Sequence, residues 1–292
     1  MARFILSAFA DEAGDSLSEQ IAALVRNGIG FIEPRAIDKQ GVIFKSDAEL
    51  REIRRTLDEN GIRVSSLGSP IGKYPIDEPF EIHLEDFRKA LNAARILGTS
   101  RIRMFSFFTP ADRLAECRDE VLRRLTVLLD MAEAEGITLC HENEAKIYGQ
   151  MPCEVKDLLR ALPRLGGIFD PANYCMCAAD PVEGIDVTLP SLVYMHVKDA
   201  ITSDRAIVPA GEGDGRIGEA LDKINAATDR TVFLTVEPHL KTFSAYASID
   251  ERALRGKYVF ETTNDSFDCA VNALKKVLRA QGYSENGQFW SK

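Results

Sequence analysis

Four segments in the second half of the sequence place a carboxylate or an imidazole at the end of a short apolar run. The residues are Glu142, Asp170, His196 and Glu237, and the apolar runs before them span 137–140, 167–169, 192–195 and 232–236. Runs of this length and apolarity are typical of buried parallel strands. Because a charged group there is costly to leave unpaired, four of them suggest one shared partner, most simply one divalent metal ion. Carboxylates with one imidazole suit Mn²⁺, Mg²⁺ or Co²⁺, and Zn²⁺ is a further candidate.

The elements that must position these residues repeat along the whole sequence. Four earlier strand candidates, within 1–10, 30–35, 62–67 and 101–105, precede the four runs above, and helical segments separate all of them. Capping boxes at Ser16/Glu19 and Ser46/Glu49 indicate two helix starts, and Thr109 before a proline indicates another. Eight strands that alternate with helices predict an α/β fold, a (β/α)8 barrel. A doubly wound open sheet would need a glycine-rich first turn, which the segment 8–14 lacks.

No linker or shift in composition divides the chain. We therefore expect a single domain over residues 1–292, with the barrel at about 4–240 and a C-terminal helical extension at about 241–292. The extension contains a predicted helix at about 266–281. Its first part, residues 241–264, exceeds a tight turn, and it either covers the site or contributes to a homo-oligomer contact.

Composition excludes several classes of partner. The formal net charge of -9 argues against a nucleic-acid surface, which needs a concentrated basic face. No apolar run approaches the length of a membrane span. The six cysteines form no CxxC pair, so we expect reduced, mostly buried thiols and a cytoplasmic protein.

In a (β/α)8 barrel the carboxyl ends of the strands meet at one rim, where active sites lie. Glu142, Asp170, His196 and Glu237 would then converge from strands five to eight. Any one of them alone would more often be a surface carboxylate or a satisfied core histidine, but four matching placements favour a metal site. Glu144, just beyond the end of strand five, is the alternative to Glu142 as a ligand.

Several motifs resemble the xylose isomerase-like TIM-barrel family of sugar (phosphate) isomerases and epimerases, over residues 4–240. The main ones are Leu139-Cys140-His141-Glu142-Asn143-Glu144, Phe169-Asp170-Pro171-Ala172-Asn173, His196-Val197-Lys198-Asp199 and Val236-Glu237-Pro238-His239. The segments 31–35, 68–73, 103–107 and 209–215 add to the likeness.

The resemblance implies a mechanism. In relatives with ketose epimerase activity, two metal-binding glutamates act as base and acid, and these positions correspond to Glu142 and Glu237. Asp170 and His196 would complete the metal shell. Carboxylates on opposite faces of a substrate can remove and return a proton beside a carbonyl. Many epimerase relatives carry a histidine three residues after the aspartate, whereas this chain has Asn173, so a step that needs an imidazole there does not carry over.

Further polar residues are predicted around the substrate. Lys198 shares a strand face with His196, and it either binds a substrate oxygen in catalysis or forms a structural salt bridge. The predicted substrate contacts are Asn173, Arg103, His239 and Glu33. For Glu33 and Arg35, a buried ion-pair network is the favoured alternative. His83 is expected to be solvated on a helix.

The segment Gly211-Glu212-Gly213-Asp214-Gly215 lacks the lysine and the spacing of a phosphate loop. A mobile lid over the rim or a flexible loop fits better.

These observations favour a metal-dependent isomerase or epimerase that acts on a small polyol, ketose or sugar phosphate. A metal-dependent dehydratase of the inosose or dehydroshikimate type is the second hypothesis, because an enolate made by the same base can expel a β-hydroxyl. A DNA-repair enzyme like the AP endonucleases is a remote third, since those enzymes use many histidines and this acidic chain has four. A non-catalytic barrel that binds a ligand is the fourth.

Overall fold

The computed structural model describes residues 1–241 and 258–292. In it, the strand candidates form a parallel β-barrel. The strands are β1 (Arg3–Ala8), β2 (Phe31–Ile32), β3 (Ala36–Ile37), β4 (Gln40–Gly41), β5 (Arg63–Val64), β6 (Leu67–Gly68), β7 (Arg101–Met104), β8 (Thr138–Glu142), β9 (Gly166–Phe169), β10 (Leu192–Val197), β11 (Asp199–Ile201), β12 (Ala206–Val208), β13 (Thr231–Val236), β14 (Ser284–Asn286) and β15 (Phe289–Ser291).

Parallel pairing carries the barrel around in the order β6, β7, β8, β9, β10, β13 and β1. The remaining strand of the barrel is β2, which pairs in parallel with β5. The short strands β5 and β6 follow each other along the chain and together occupy one strand position of the barrel. The ring closes between β1 and β2, where the Glu33 amide donates to the Ala8 carbonyl at 3.0 Å. The predicted (β/α)8 barrel is therefore confirmed.

Helices cover the outside of the barrel. They are α1 (Leu17–Arg26), α2 (Asp47–Glu59), α3 (Phe80–Leu97), α4 (Leu114–Ala134), α5 (Pro152–Ala161), α6 (Pro171–Met176), α7 (Pro181–Thr188), α8 (Ile217–Ala227) and α9 (Thr263–Ala280). The capping boxes of Ser16 and Ser46 are confirmed, because each hydroxyl accepts from the amide three residues later. The predicted helix start at Thr109 is wrong: its hydroxyl donates to Phe107 O, and α4 begins only after a 3-10 turn at Ala111–Arg113.

A C-terminal hairpin follows α9 and was not predicted. Its second strand, β15, pairs antiparallel with the first half of β1, so that Phe4 lies opposite Trp290. Trp290 is buried. The extension is thus partly strand, and it shares a sheet with the barrel.

Two further expectations about burial are corrected. His83 is buried on α3, where its Nε2 accepts from the Gly72 amide at 2.9 Å. All six cysteines are free thiols, but only half of them are buried, namely Cys117, Cys140 and Cys175, while Cys177 and Cys269 are half-buried and Cys153 is exposed. Among the described residues, no helix combines the length and the apolarity needed to cross a membrane. Most of the segment 241–264, predicted to cover the site or to contact another copy, lies outside the described residues.

Candidate metal centre

The four residues singled out by their position after apolar runs meet at the rim of the barrel. Glu142 is the last residue of β8 and His196 lies within β10, while Asp170 and Glu237 directly follow β9 and β13. All four are buried, and one potential ligand atom from each lies within 4.8 Å of the others. Glu144, the alternative to Glu142, lies farther out and pairs with Lys73 at 3.0 Å.

Glu33 lies next to His196, at the ring nitrogen that faces away from Glu142 and Glu237. The imidazole Nε2 lies 3.4 Å from Glu33 Oε2, and its Nδ1 lies 3.1 Å from Glu142 Oε1 and 3.8 Å from Glu237 Oε2. Glu33 itself accepts from the hydroxyls of Tyr194 and Thr235 at 2.8 and 2.9 Å. Glu33, predicted as a substrate contact, is fully buried next to His196 and is not among the residues that line the cavity.

The oxygen and nitrogen atoms that this cluster offers as ligands suit a divalent ion. Within the described part of the chain, Glu142 Oε2, Asp170 Oδ2 and both nitrogens of His196 are buried without a hydrogen bond. Burial alone would lower the pKa of His196, but Glu142 and Glu33 raise it to about 10. The carboxylates therefore favour positive charge at this place. Three carboxylates and one imidazole are suitable ligands for Mg²⁺, Mn²⁺ or Co²⁺.

Each of the two glutamates lies next to a cation. Glu142 Oε2 is 3.3 Å from Arg103, and its Oε1 accepts from the Asn173 side chain at 3.2 Å. Glu237 accepts from Arg35 at 3.2 Å through Oε1 and from Lys198 at 3.1 Å through Oε2. Burial would raise both pKa values, but His196 and Arg103 lower that of Glu142 to about 2, and Lys198 with other cations holds that of Glu237 well below its usual range. Both side chains are therefore ionised at neutral pH.

Arg35 anchors a second buried network beside the centre. Its guanidinium contacts Asp11 at 2.9 Å, Glu12 at 3.2 Å and Glu237 at 3.2 Å. Burial raises the pKa of Glu12 to about 8, with Arg35 opposing the shift and Glu237 adding to it. Sequence reasoning missed Asp11 and Glu12, although they too follow an apolar run at the end of a strand.

A cavity of about 340 Å³ opens above the centre. Its charged floor includes Glu142, Glu237 and Lys198, and the predicted contacts Arg103, Asn173 and His239 also line it. An apolar wall faces them, formed by Phe105, Phe108, Met176 and Ile207. A cavity of this size and character can hold one small, polyhydroxylated molecule.

The glycine-rich loop 211–215 is tied to the barrel by Asp199. The Asp199 carboxylate accepts from the amides of Gly211, Gly213 and Gly215 at 2.8, 3.1 and 2.9 Å. A Cβ on Gly213 would lie 2.3 Å from Asp199 Oδ1, so this approach requires glycine. The prediction of a mobile lid or a flexible loop is therefore not supported by the structure.

Replacing Asp199 by alanine should loosen this loop. Three loop amides lose their acceptor at once, and an amide left unpaired costs about 1–3 kcal/mol where it is buried, as at Gly215. We expect hydrogen exchange at Gly211, Gly213 and Gly215 to accelerate by about 30-fold or more, equivalent to about 2 kcal/mol of local stability. Asp204→Ala is the control, because Asp204 is exposed and accepts only from Ala206 nearby. Unchanged protection of the three glycines in Asp199→Ala would contradict this account.

The fold and the centre together define a (β/α)8 barrel protein with a buried carboxylate–histidine cluster at the rim. A family model described as xylose isomerase-like TIM barrel matches residues 21–255, and the chain belongs to this family. No curated protein matches the sequence.

Solved structures of the same fold include enzymes of two reaction types. A D-psicose 3-epimerase is 20% identical, with 95% of this chain and 99% of that chain covered at a TM-score of 0.69. The protein described as the probable 3-DHS dehydratase AsbF from Bacillus anthracis is 15% identical, with 93% and 98% covered at 0.72. A xylose isomerase-like TIM barrel protein from Mycobacterium smegmatis in complex with magnesium is 16% identical, with 95% and 97% covered at 0.66. At these identities the likeness shows the fold.

Proposed function

We propose that the protein is a metal-dependent isomerase or epimerase of a small ketose, polyol or sugar phosphate. The observation that carries the proposal is the pairing of Glu142 and Glu237. Both carboxylates line the same cavity and approach the same nitrogen of His196, at 3.1 and 3.8 Å. Two carboxylates beside one bound substrate can act as base and, after taking up a proton, as acid.

The residues around the cavity have distinct proposed roles. Glu142, Asp170, His196 and Glu237 would hold one divalent ion, and the chemistry that such an ion would supply is polarisation of a carbonyl and stabilisation of negative charge beside it. One of Glu142 and Glu237, as a carboxylate, removes a proton from the carbon next to the carbonyl. The other takes up a proton from solvent and delivers it to that carbon, and the first then releases its proton to solvent. Arg103 beside Glu142 and Arg35 beside Glu237 favour the ionised carboxylates, so that either can accept the proton. Asn173 and His239 line the cavity as contacts for substrate hydroxyls.

A dehydratase is the second candidate, because the same base can start loss of a β-hydroxyl. Asn173 favours this candidate. It occupies the position where many epimerase relatives carry an imidazole, and its amide is already engaged by Glu142 and Asn143 O at 3.2 and 2.8 Å. A DNA-repair activity has less support, since the described cluster contains one histidine and the chain is acidic.

The remaining assignments are also proposals. We propose Mn²⁺, Mg²⁺ or Co²⁺ as the ion, with Zn²⁺ as an alternative, and a single domain over residues 1–292. A cytoplasmic location stays a prediction from the six free cysteines. Homo-oligomerisation stays a prediction as well.

Solvent exchange tests the proposed chemistry directly. Mn²⁺-loaded protein would be incubated in D2O with a panel of ketoses, inososes and sugar phosphates, and proton NMR would follow each compound. We expect deuterium to enter a carbon next to a carbonyl in at least one compound, to stop after chelation and to resume when Mn²⁺ is restored. Deuterium entry with loss of water would assign the dehydratase instead. No exchange in any compound by metal-loaded protein would contradict both.

A further inference from the structure

The ammonium group of Lys198 lies among the proposed metal ligands. Its Nζ is 3.0 Å from Asp170 Oδ2 and 3.1 Å from Glu237 Oε2, and the side chain, which lines the cavity, is 6% exposed. Asp170 and Glu237 are two of the four clustered ligand candidates. Adjacent ligands of an octahedral ion with bonds near 2.1 Å are about 3 Å apart. The ammonium is therefore as far from both carboxylates as a further ligand of the same ion would be.

We propose that Lys198 is the counter-cation of the metal-free centre, that it competes with the ion for Asp170 and Glu237, and that metal binding turns it toward an oxygen of the substrate. This inference rests on the metal site of the proposed function. An ammonium and a divalent cation that share two carboxylates at this distance repel each other, because like charges a few ångströms apart interact unfavourably even in a polar surrounding. The ammonium must therefore give way when the ion binds.

The surroundings offer the displaced ammonium a place in the cavity. Lys198 already lines this space, and Glu144 on the cavity wall attracts it. Glu144 is itself paired with Lys73 at 3.0 Å, so it only partly neutralises a second cation. An anionic oxygen of a bound substrate would complete the neutralisation. Lys198 would thus couple occupation of the metal site to substrate binding.

The opposite role predicts the opposite result. If Lys198 only supported the ligands from behind, its removal would leave Asp170 and Glu237 badly placed and would weaken metal binding. If it competes with the ion, its removal leaves two carboxylates without a counter-charge and strengthens metal binding. The sign of the change in affinity therefore separates competition from support.

The experiment is a Mn²⁺ titration of metal-stripped full-length protein, read from the EPR signal of free Mn²⁺. We expect Lys198→Met to lower the Kd for Mn²⁺ by about tenfold or more, corresponding to about 1.4 kcal/mol. We also expect the metal-free variant to melt at a lower temperature than wild type, while added Mn²⁺ raises its Tm by a larger amount. Lys198→Gln, which keeps a polar side chain, should behave in the same way if the methionine variant folds poorly.

Lys73→Met is the matched control, because it removes one positive charge from the same cavity without touching a ligand. Its Kd for Mn²⁺ should change by less than about threefold. An equal or weaker affinity in both Lys198 variants would overturn this inference and leave the metal site standing. If wild-type protein does not bind Mn²⁺, the proposed function and this inference fail together.

Discussion

Replacing Glu142 or Glu237 by glutamine should lower the rate of solvent-deuterium exchange by about 10²–10⁴-fold, the usual contribution of a positioned general acid or base. Glutamine keeps the size of the side chain and can still donate a hydrogen bond, but it cannot accept a proton at neutral pH. Burial would raise both pKa values, but His196 and Arg103 lower that of Glu142, and Lys198 with other cations lowers that of Glu237, so both glutamates are ionised. The measurement is proton NMR of the exchanging substrate in D2O.

Metal affinity must be measured on the same variants, since both glutamates are also proposed ligands. We expect weaker Mn²⁺ binding as well, so exchange should be compared at saturating Mn²⁺. Glu81→Gln on the exposed face of α3 makes the same chemical change far from the cavity and should exchange at the wild-type rate. Full activity of Glu142→Gln at saturating metal would remove this residue from the acid–base pair and direct attention to Glu144.

Replacing Arg35 by methionine should lower the free energy of unfolding by about 3–5 kcal/mol, because it leaves buried carboxylates without their counter-ion. The Arg35 side chain is 9% exposed, and its partners Asp11, Glu12 and Glu237 are 4%, 2% and 4% exposed. Methionine fills much of the volume of the arginine stem, so the loss comes mainly from charge. Equilibrium urea unfolding of metal-free protein gives the free energy.

Arg55→Met is the matched control. Arg55 also bridges two carboxylates, those of Glu52 and Glu59, but all three lie exposed on α2. Solvent screens such pairs, so this change should cost less than about 1 kcal/mol. If the two arginine variants lost similar stability, the buried network around Arg35 would stabilise the fold no more than exposed ion pairs do.

The barrel could be predicted because its signal is repeated. Buried parallel strands read as short apolar runs, and the runs that end at Glu142, Asp170, His196 and Glu237 are such strands in the structure. The convergence of these side chains then follows from parallel geometry, which brings strand ends to one rim. Their roles as ligands, acid and base are inferred from chemistry and stay predictions.

Other features could not be predicted, because they depend on contacts between distant segments. His83 looks like a surface residue on a charged helix, yet the Gly72 amide pairs with its ring in the interior. The glycines of 211–215 indicate freedom of the backbone, but Asp199 supplies the acceptors that remove it. Glu33 was expected near the centre, but only the structure shows that it lies next to His196 and accepts hydrogen bonds from Tyr194 and Thr235.

The pairing of β15 with β1 also changes how the connectivity of the barrel should be understood. Phe4 and Ile5 lie opposite Trp290 and Phe289, so segments at opposite ends of the sequence are hydrogen-bonded neighbours. The two ends of the described chain are thus held side by side next to the parallel ring. An exposed loop on the side away from the centre, such as that around Asp229 before β13, could serve equally well as the point where the chain starts. We therefore expect the fold to tolerate circular permutation at this loop, because the candidate site lies at the opposite rim.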